Sequence, residues 1–271
     1  MIQEEKNIQE RPSKLMALPE IYTLTDDSTS LPFLDEQGFC YLFSKKEFAE
    51  EALDYYTQQR RVWHLKTIEH KDIYPFLGCE FYSNGANGAI IDNGQHYSVH
   101  KPEEFIARPD YYNMPPAQRP VVNPDYIRAL TMLQQERYWR VDYPEKRKVF
   151  TAYEDEMIRT FVKARFLVPF KTDARSEGNT LNMEQGNHIT FASLENKDGQ
   201  TAVPIFSDWD QFILMYDLRE WNGWTMTAED LLAAPDDSVV LNVGTTAFVM
   251  TKKFIQQMFA IYKNELQPKD N

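Results

Sequence analysis

Two stretches of this 271-residue chain carry the same landmarks in the same order. The first reads Gly38, Phe43-Ser44, Phe48, Trp63 and Gly85, and the second reads Gly199, Phe206-Ser207, Phe212, Trp224 and Gly244. Each landmark recurs about 160 residues on, with a drift of only a few positions. A period this long excludes a solenoid, whose repeats run to roughly 20–50 residues. The pattern predicts a duplicated domain, with a first copy over 18–106 and a second over 150–264. Residues 107–149 read as a Pro-rich linker followed by a helix.

Local chemistry supports the pairing. Gly38 to Phe43 and Gln200 to Phe206 are strand-like runs that end at Ser44 and Ser207. Both serines fit the N-cap of a following helix, with an acid three residues on at Glu47 and Asp210. The helices are expected over 45–58 and 208–219, with Phe48, Ala52 and Tyr55, then Phe212, Met215 and Tyr216, at helical spacing. Thr227 to Asp230 opens a short helix whose counterpart is His70 to Leu77. Short strands then flank Asn242-Val243-Gly244, matched in the first copy with the turn Ser83 to Gly88. A helix over 251–264 ends the second copy, and Pro102 to Ile106 is its stub in the first. Between them, Asn123-Pro124 starts a helix well, and another is expected over about 151–164. The segment 171–188, with Gly178, Asn179 and Gly186, reads as a long loop inside a hairpin. Residues 1–12 and 267–271 are expected to be frayed. The fold class is α/β with an α+β character: two tandem small mixed sheets, each with packed helices.

Composition then removes several classes. The chain holds 41 acidic and 29 basic residues, for a net charge of −12, which argues against a nucleic-acid partner. No apolar run approaches the roughly 20 residues of a membrane helix. Met1 to Lys6 is polar, so no secretory leader is expected. Cys40 and Cys79 are too few for a disulfide framework, which points to the cytoplasm.

Three segments of the second copy carry a resemblance. They are Phe166-Leu167-Val168-Pro169, the run from Gly199 to Asp208, and Val240-Leu241-Asn242-Val243-Gly244. Together they resemble the SseB N-terminal domain family, named for enhanced serine sensitivity, over about 155–262. The resemblance implies a small bacterial α/β domain with a binding or regulatory role. It implies no catalytic residue. The first copy lacks the strand Val-Pro and has Ser83 where the second has Asn242.

Catalytic signatures are missing from the rest. Neither Ser44 nor Ser207 sits in Gly-x-Ser-x-Gly. His96 and His100 read as extended, where His96, Ser98 and His100 would share one strand face without an acid or cysteine spaced for zinc. Cys40 and Cys79 fall in strand-like runs and read as small apolar residues. Gly85 to Gly88 lacks the Gly-Lys-Ser/Thr of a phosphate loop. The acidic runs Glu154 to Glu156 and Asp236-Asp237 read as solvated surface. No catalytic residue, metal site or cofactor is therefore expected. The candidate contact residues are Trp209, Trp221, Asn242 and Gly244, where exposed aromatics would mark a partner surface. The expected function is a non-enzymatic cytoplasmic binding or regulatory protein acting through protein contacts, with homo-oligomerisation open. The alternative is a sensor of a small metabolite, for instance an amino acid, bound between the copies.

Overall fold

The computed structural model describes residues 11–94, 96–115, 118–177, 180–182, 184, 187–234 and 236–266. Of the expected frayed ends, 1–10 and 267–271 lie outside these, as do Gly178, Asn179 and Gly186. The chain divides into two compact units, one of residues up to 119 with 123–160, the other of 120–122 with 161 onward.

The first unit contains, in order, α1 (Pro12–Leu15), β1 (Glu20–Asp26), β2 (Phe39–Phe43), α2 (Lys46–Gln58), β3 (Trp63–Glu69), α3 (His70–Tyr82), β4 (Gly88–Asp92), β5 (Tyr97–His100), α4 (Pro102–Phe105), α5 (Pro124–Tyr138) and α6 (Lys146–Phe161). Its sheet runs β3-β1-β2-β4-β5, with β2 and β4 parallel and the other neighbours antiparallel. Strand alternation sends side chains to two covered faces. Ile21, Cys40, Leu42, Ala89 and Ile91 join Ile73, Leu77 and Phe81 of α3 on one side. Tyr22, Leu24 and Phe43 join Ala49 of α2 and Trp63 on the other. The strands are apolar on both faces because both faces carry a helix.

The second unit contains β6 (Arg165–Thr172), β7 (Arg175–Glu177), β8 (Thr180–Asn182), β9 (Ile189–Phe191), β10 (Leu194–Glu195), β11 (Thr201–Ile205), α7 (Trp209–Ile213), β12 (Asn222–Thr227), β13 (Ser238–Leu241), β14 (Phe248–Thr251) and α8 (Lys252–Leu266). β12 pairs β6, a single bridge Leu167–Phe206 joins β6 to the end of β11, and β11-β13-β14 follow. Here too the one parallel pair among these neighbours is β11 with β13. Strand order and direction thus match those of the first unit, where β1 meets β2 at the single pair Tyr22–Phe43. Turns match as well. Asp35 Oδ1 accepts from the backbone of Gln37 and Phe39, and Asn196 Oδ1 from Asp198 and Gln200. Each turn closes on a glycine at positive φ, Gly38 at 80° and Gly199 at 76°, a conformation open to glycine without strain. The long loop of 171–188 holds the small hairpin β7–β8, between β6 and its antiparallel partner β9.

Strand register revises three of the expected pairings. Among them is Ser83 with Asn242, because Ile91 and Leu241 share a register position and Asp92 therefore stands where Asn242 does. Across β1, Tyr22 faces Thr67, and across β6, Leu167 faces Thr225. Counting back four residues from each threonine places Trp221, not Trp224, at the position of Trp63. The loops closed by Ile91–Ser98 and Leu241–Phe248 have equal length, so Gly94, not Gly85, stands where Gly244 does. Gly85 serves another contact: a β-carbon there would lie 2.1 Å from the Pro124 carbonyl oxygen at the start of α5.

Helix ends differ from expectation too. The N-cap positions belong to Lys45 and Asp208, one residue after the serines, and only Asp208 caps with its side chain, accepting from Gln211 N. α7 stops at Ile213 rather than 219. The helix expected near Thr227 is a 3-10 turn at Asp230–Ala233, while its first-unit counterpart α3 extends to Tyr82. Cys79 consequently sits in a helix, not a strand. α6 begins at Lys146, five residues early, and groups with the first unit up to Thr160.

Glu80 of α3 is 2% exposed and accepts from Asn84 Nδ2 at 3.2 Å. Burial pushes its carboxyl from the ordinary 4.5 up to about 7. The folded state therefore holds this proton more tightly than the unfolded chain, and stability falls as pH rises through that interval. The gap in Tm between Glu80→Gln and the natural chain should widen in favour of the variant from pH 4.5 to about 7 and then level. A gap that stays constant over that range contradicts the assignment.

Candidate functional site

The carboxyl ends of the parallel strands β11 and β13 bring two segments together. One is Ser207-Asp208-Trp209, entering α7, and the other is Asn242-Val243-Gly244, turning toward β14. Open α/β sheets present their ligand crevices at strand ends of this kind. Here the ends are latched by buried polar groups. Ser207 N donates to Asn242 Oδ1 at 3.0 Å, and Asn242 Nδ2 donates to Ser207 Oγ at 2.9 Å. Ser207 Oγ in turn donates to Asp208 Oδ2 at 2.6 Å, while Gln211 N donates to Asp208 Oδ1 at 2.9 Å. Thr245 Oγ1 continues the chain to Gln211 Oε1 at 2.6 Å. Desolvation raises the Asp208 carboxyl, and the Ser207 and Gln211 donors oppose that rise. Asn242 stands at φ 48°, a left-handed conformation that asparagine tolerates better than most residues. Sequence reasoning took Ser207 for a cap. Its hydroxyl instead ties the start of α7 to the β13–β14 turn.

Trp209 and Trp221, both half-buried, pack on a cluster of Val121, Leu167, Phe206 and Phe212. Trp209 also presses on Gly223, where an added β-carbon would meet its ring at 2.7 Å. Trp221 stacks edge-on to Tyr216 and lies beneath Lys171 Nζ at 4.6 Å. Both tryptophans are therefore mainly packing residues. Trp224 projects elsewhere, against Phe170 and Phe191. Gly244 is exposed, and its nearest neighbours are Met215 and Leu214. Those two residues open a surface the sequence reading missed. Ile213, Leu214, Met215 and Leu218 are each 46–60% exposed. The signal was present as four consecutive apolar residues, Phe212 to Met215, which no single helix face can bury.

The remaining candidates resolve as follows. Ser98 and His100 share a face of β5, with Ser98 Oγ and His100 Nε2 at 2.8 Å, and His100 Nδ1 meets Glu104 Oε2 at 2.9 Å. Ser98 and His100 are both buried, so this chain of groups fastens β5 to α4. His96 lies outside the strand. Both cysteines are free thiols, and burial pushes Cys40 up. Among the described residues, no three His, Cys, Asp or Glu side chains are placed to hold a metal ion. Asp236 accepts from Ser193 and Thr201 and is thereby engaged with its own unit.

The second unit defines an α+β domain with a mixed sheet and a buried polar latch at one end of it. Residues 148–257 match the family model of the SseB protein N-terminal domain, so this part of the chain carries an SseB-type domain. No curated protein and no solved structure matches the chain.

Asn242→Ala leaves the buried Ser207 N–H without its acceptor, a loss of about 1–3 kcal/mol. Urea unfolding should show this as a lower midpoint. An unchanged midpoint would mean that the latch carries no weight.

Proposed function

We propose that the chain is a non-enzymatic binding or regulatory protein of the bacterial cytoplasm, acting through protein contacts made by its SseB-type unit. The observation that carries this reading is the apolar surface of Ile213, Leu214, Met215 and Leu218 beside Gly244. Large apolar side chains left exposed within one short segment are a feature of interaction sites on soluble proteins. The fold does not demand it. Counting from the equivalent helix starts, the first unit has Glu50, Glu51 and Ala52 where the second has Ile213, Leu214 and Met215. The matched strand order supports reading the units as diverged copies, of which the second kept or gained this surface. A net charge of −12 opposes self-association, so the occupant is a different protein with a neutral or basic rim. Free cysteines and the acidic balance support the cytoplasmic placement. A second reading, the metabolite sensor, is favoured by cavities inside the first unit.

Leu214→Asp with Leu218→Asp should leave Tm within about 2 °C of the natural chain, because both side chains are already exposed. Affinity capture from native cytosol should retain a defined partner on the natural chain and lose it on the double variant. Identical retention on both, or no retained protein on either, counts against the reading.

A further inference from the structure

Arg60, Arg61 and Arg140 line one cavity of the first unit, about 640 Å³ in volume. That size suits a small molecule. The first two arginines follow α2 and the third follows α5. α2 ends with Arg60 N donating to Thr57 O at 2.9 Å and Arg61 N to Tyr56 O at 3.1 Å. This paired closure needs a left-handed residue after the helix, a place that glycine fills without strain. The sequence puts Arg60 there, at φ 62°. A strained arginine where glycine would fit better is a local cost that binding would explain.

Arg61 is held in place before any ligand arrives. Its Nη1 donates to Gln135 O at 3.1 Å, and its guanidinium carbon lies 3.8 Å from the centre of the Trp139 ring. Trp139 is itself fixed by donating to Gln59 O at 2.8 Å. Among the described residues, no carboxylate is within ion-pair distance of Arg60, Arg61 or Arg140. In a chain with 41 acids against 29 basic residues, three arginines lining one cavity without an ion pair stand out. Two acids share the lining with the three arginines, which leaves it one positive charge in excess. Asp26 accepts from Trp63 Nε1 and from Ser28 N and Oγ, and Asp27 faces His64. Glu136, nearby on α5, takes the Tyr143 hydroxyl at 3.1 Å.

We propose that Arg60, Arg61 and Arg140 bind the phosphate group of a small phosphorylated metabolite. Guanidiniums present fixed forks of donors that match the several oxygens of a phosphate. Tyr138, exposed on the rim, offers a flat face to the body of the ligand. The site lies in the first unit and does not rest on the protein-contact reading of the second.

Titration calorimetry on the full chain, with pyrophosphate, ribose 5-phosphate and AMP as separate probes, tests this. Saturable binding of at least one probe is expected, weakened by added salt as ion pairs are screened. AMP binding more tightly than ribose 5-phosphate would support the phosphate site and assign Tyr138 to the base. Equal affinities would support it with the phosphate as the whole of recognition. Arg140→Gln should weaken binding about tenfold, as expected for one lost charge-assisted contact. Arg60→Gly should weaken it similarly while raising the Tm of the free chain, because glycine relieves the left-handed strain. A structural role alone would not move binding and stability in opposite directions. No binding by any probe, or unchanged affinity in both variants, overturns the proposal.

Discussion

In each unit one backbone pair joins the two parts of the sheet, and in the first unit Thr23 Oγ1 adds a bond to Tyr41 O at 2.7 Å. Tyr22 faces Phe43, and Leu167 faces Phe206 with two reciprocal backbone bonds of 2.9 Å. Beyond that pair the first strand turns its edge to another segment, Pro32 in one unit and β9 in the other. The strands on either side therefore meet across a single backbone rung. All four junction side chains are buried, so water cannot compete for these backbone groups. The connection that leaves Phe43 or Phe206 leads directly into a helix. The Ser207–Asn242 latch and the turn at Gly244 follow on the far side of that rung, where β13 pairs with β11 and β14.

The sequence made some of this architecture legible because certain landmarks have a local cause. Gly38 and Gly199 align because each closes the same side-chain-stabilised turn, Asp35 in one and Asn196 in the other. Phe43 and Phe206 align because each is the buried member of the junction. The tryptophans misled because Trp224 lies in β12 and Trp221 just before it, three residues apart, and they pack against different groups. An odd shift exchanges the core face for the other, and only the cross-strand register decides it. Ser44 and Ser207 misled because a serine before an acid resembles a cap, while the cap fell one residue later on Asp208.

The candidate site was legible in part. Asn242 and Gly244 were singled out from a turn signal, and they do flank the latch and the apolar surface. Ile213, Leu214 and Leu218 were hidden by the expectation of a helix reaching 219, whose periodic face would have taken some of them inward. The arginine cavity had no signal in sequence order, since Arg60 and Arg140 are far apart in the chain and meet only through the packing of Trp139 against the end of α2. The two units thus differ in what they offer. The second presents an apolar surface beside a rigid turn, and the first presents three arginines in a cavity with one positive charge in excess.

Native-state hydrogen exchange, read residue by residue, tests the single-rung account most directly. The amides of Leu167 and Phe206 should exchange only through opening of the whole unit, as slowly as the amides in the middle of β13. Fast exchange at Leu167 and Phe206 while β13 stays protected would show that the two halves of the sheet open apart, and that the rung does not hold them.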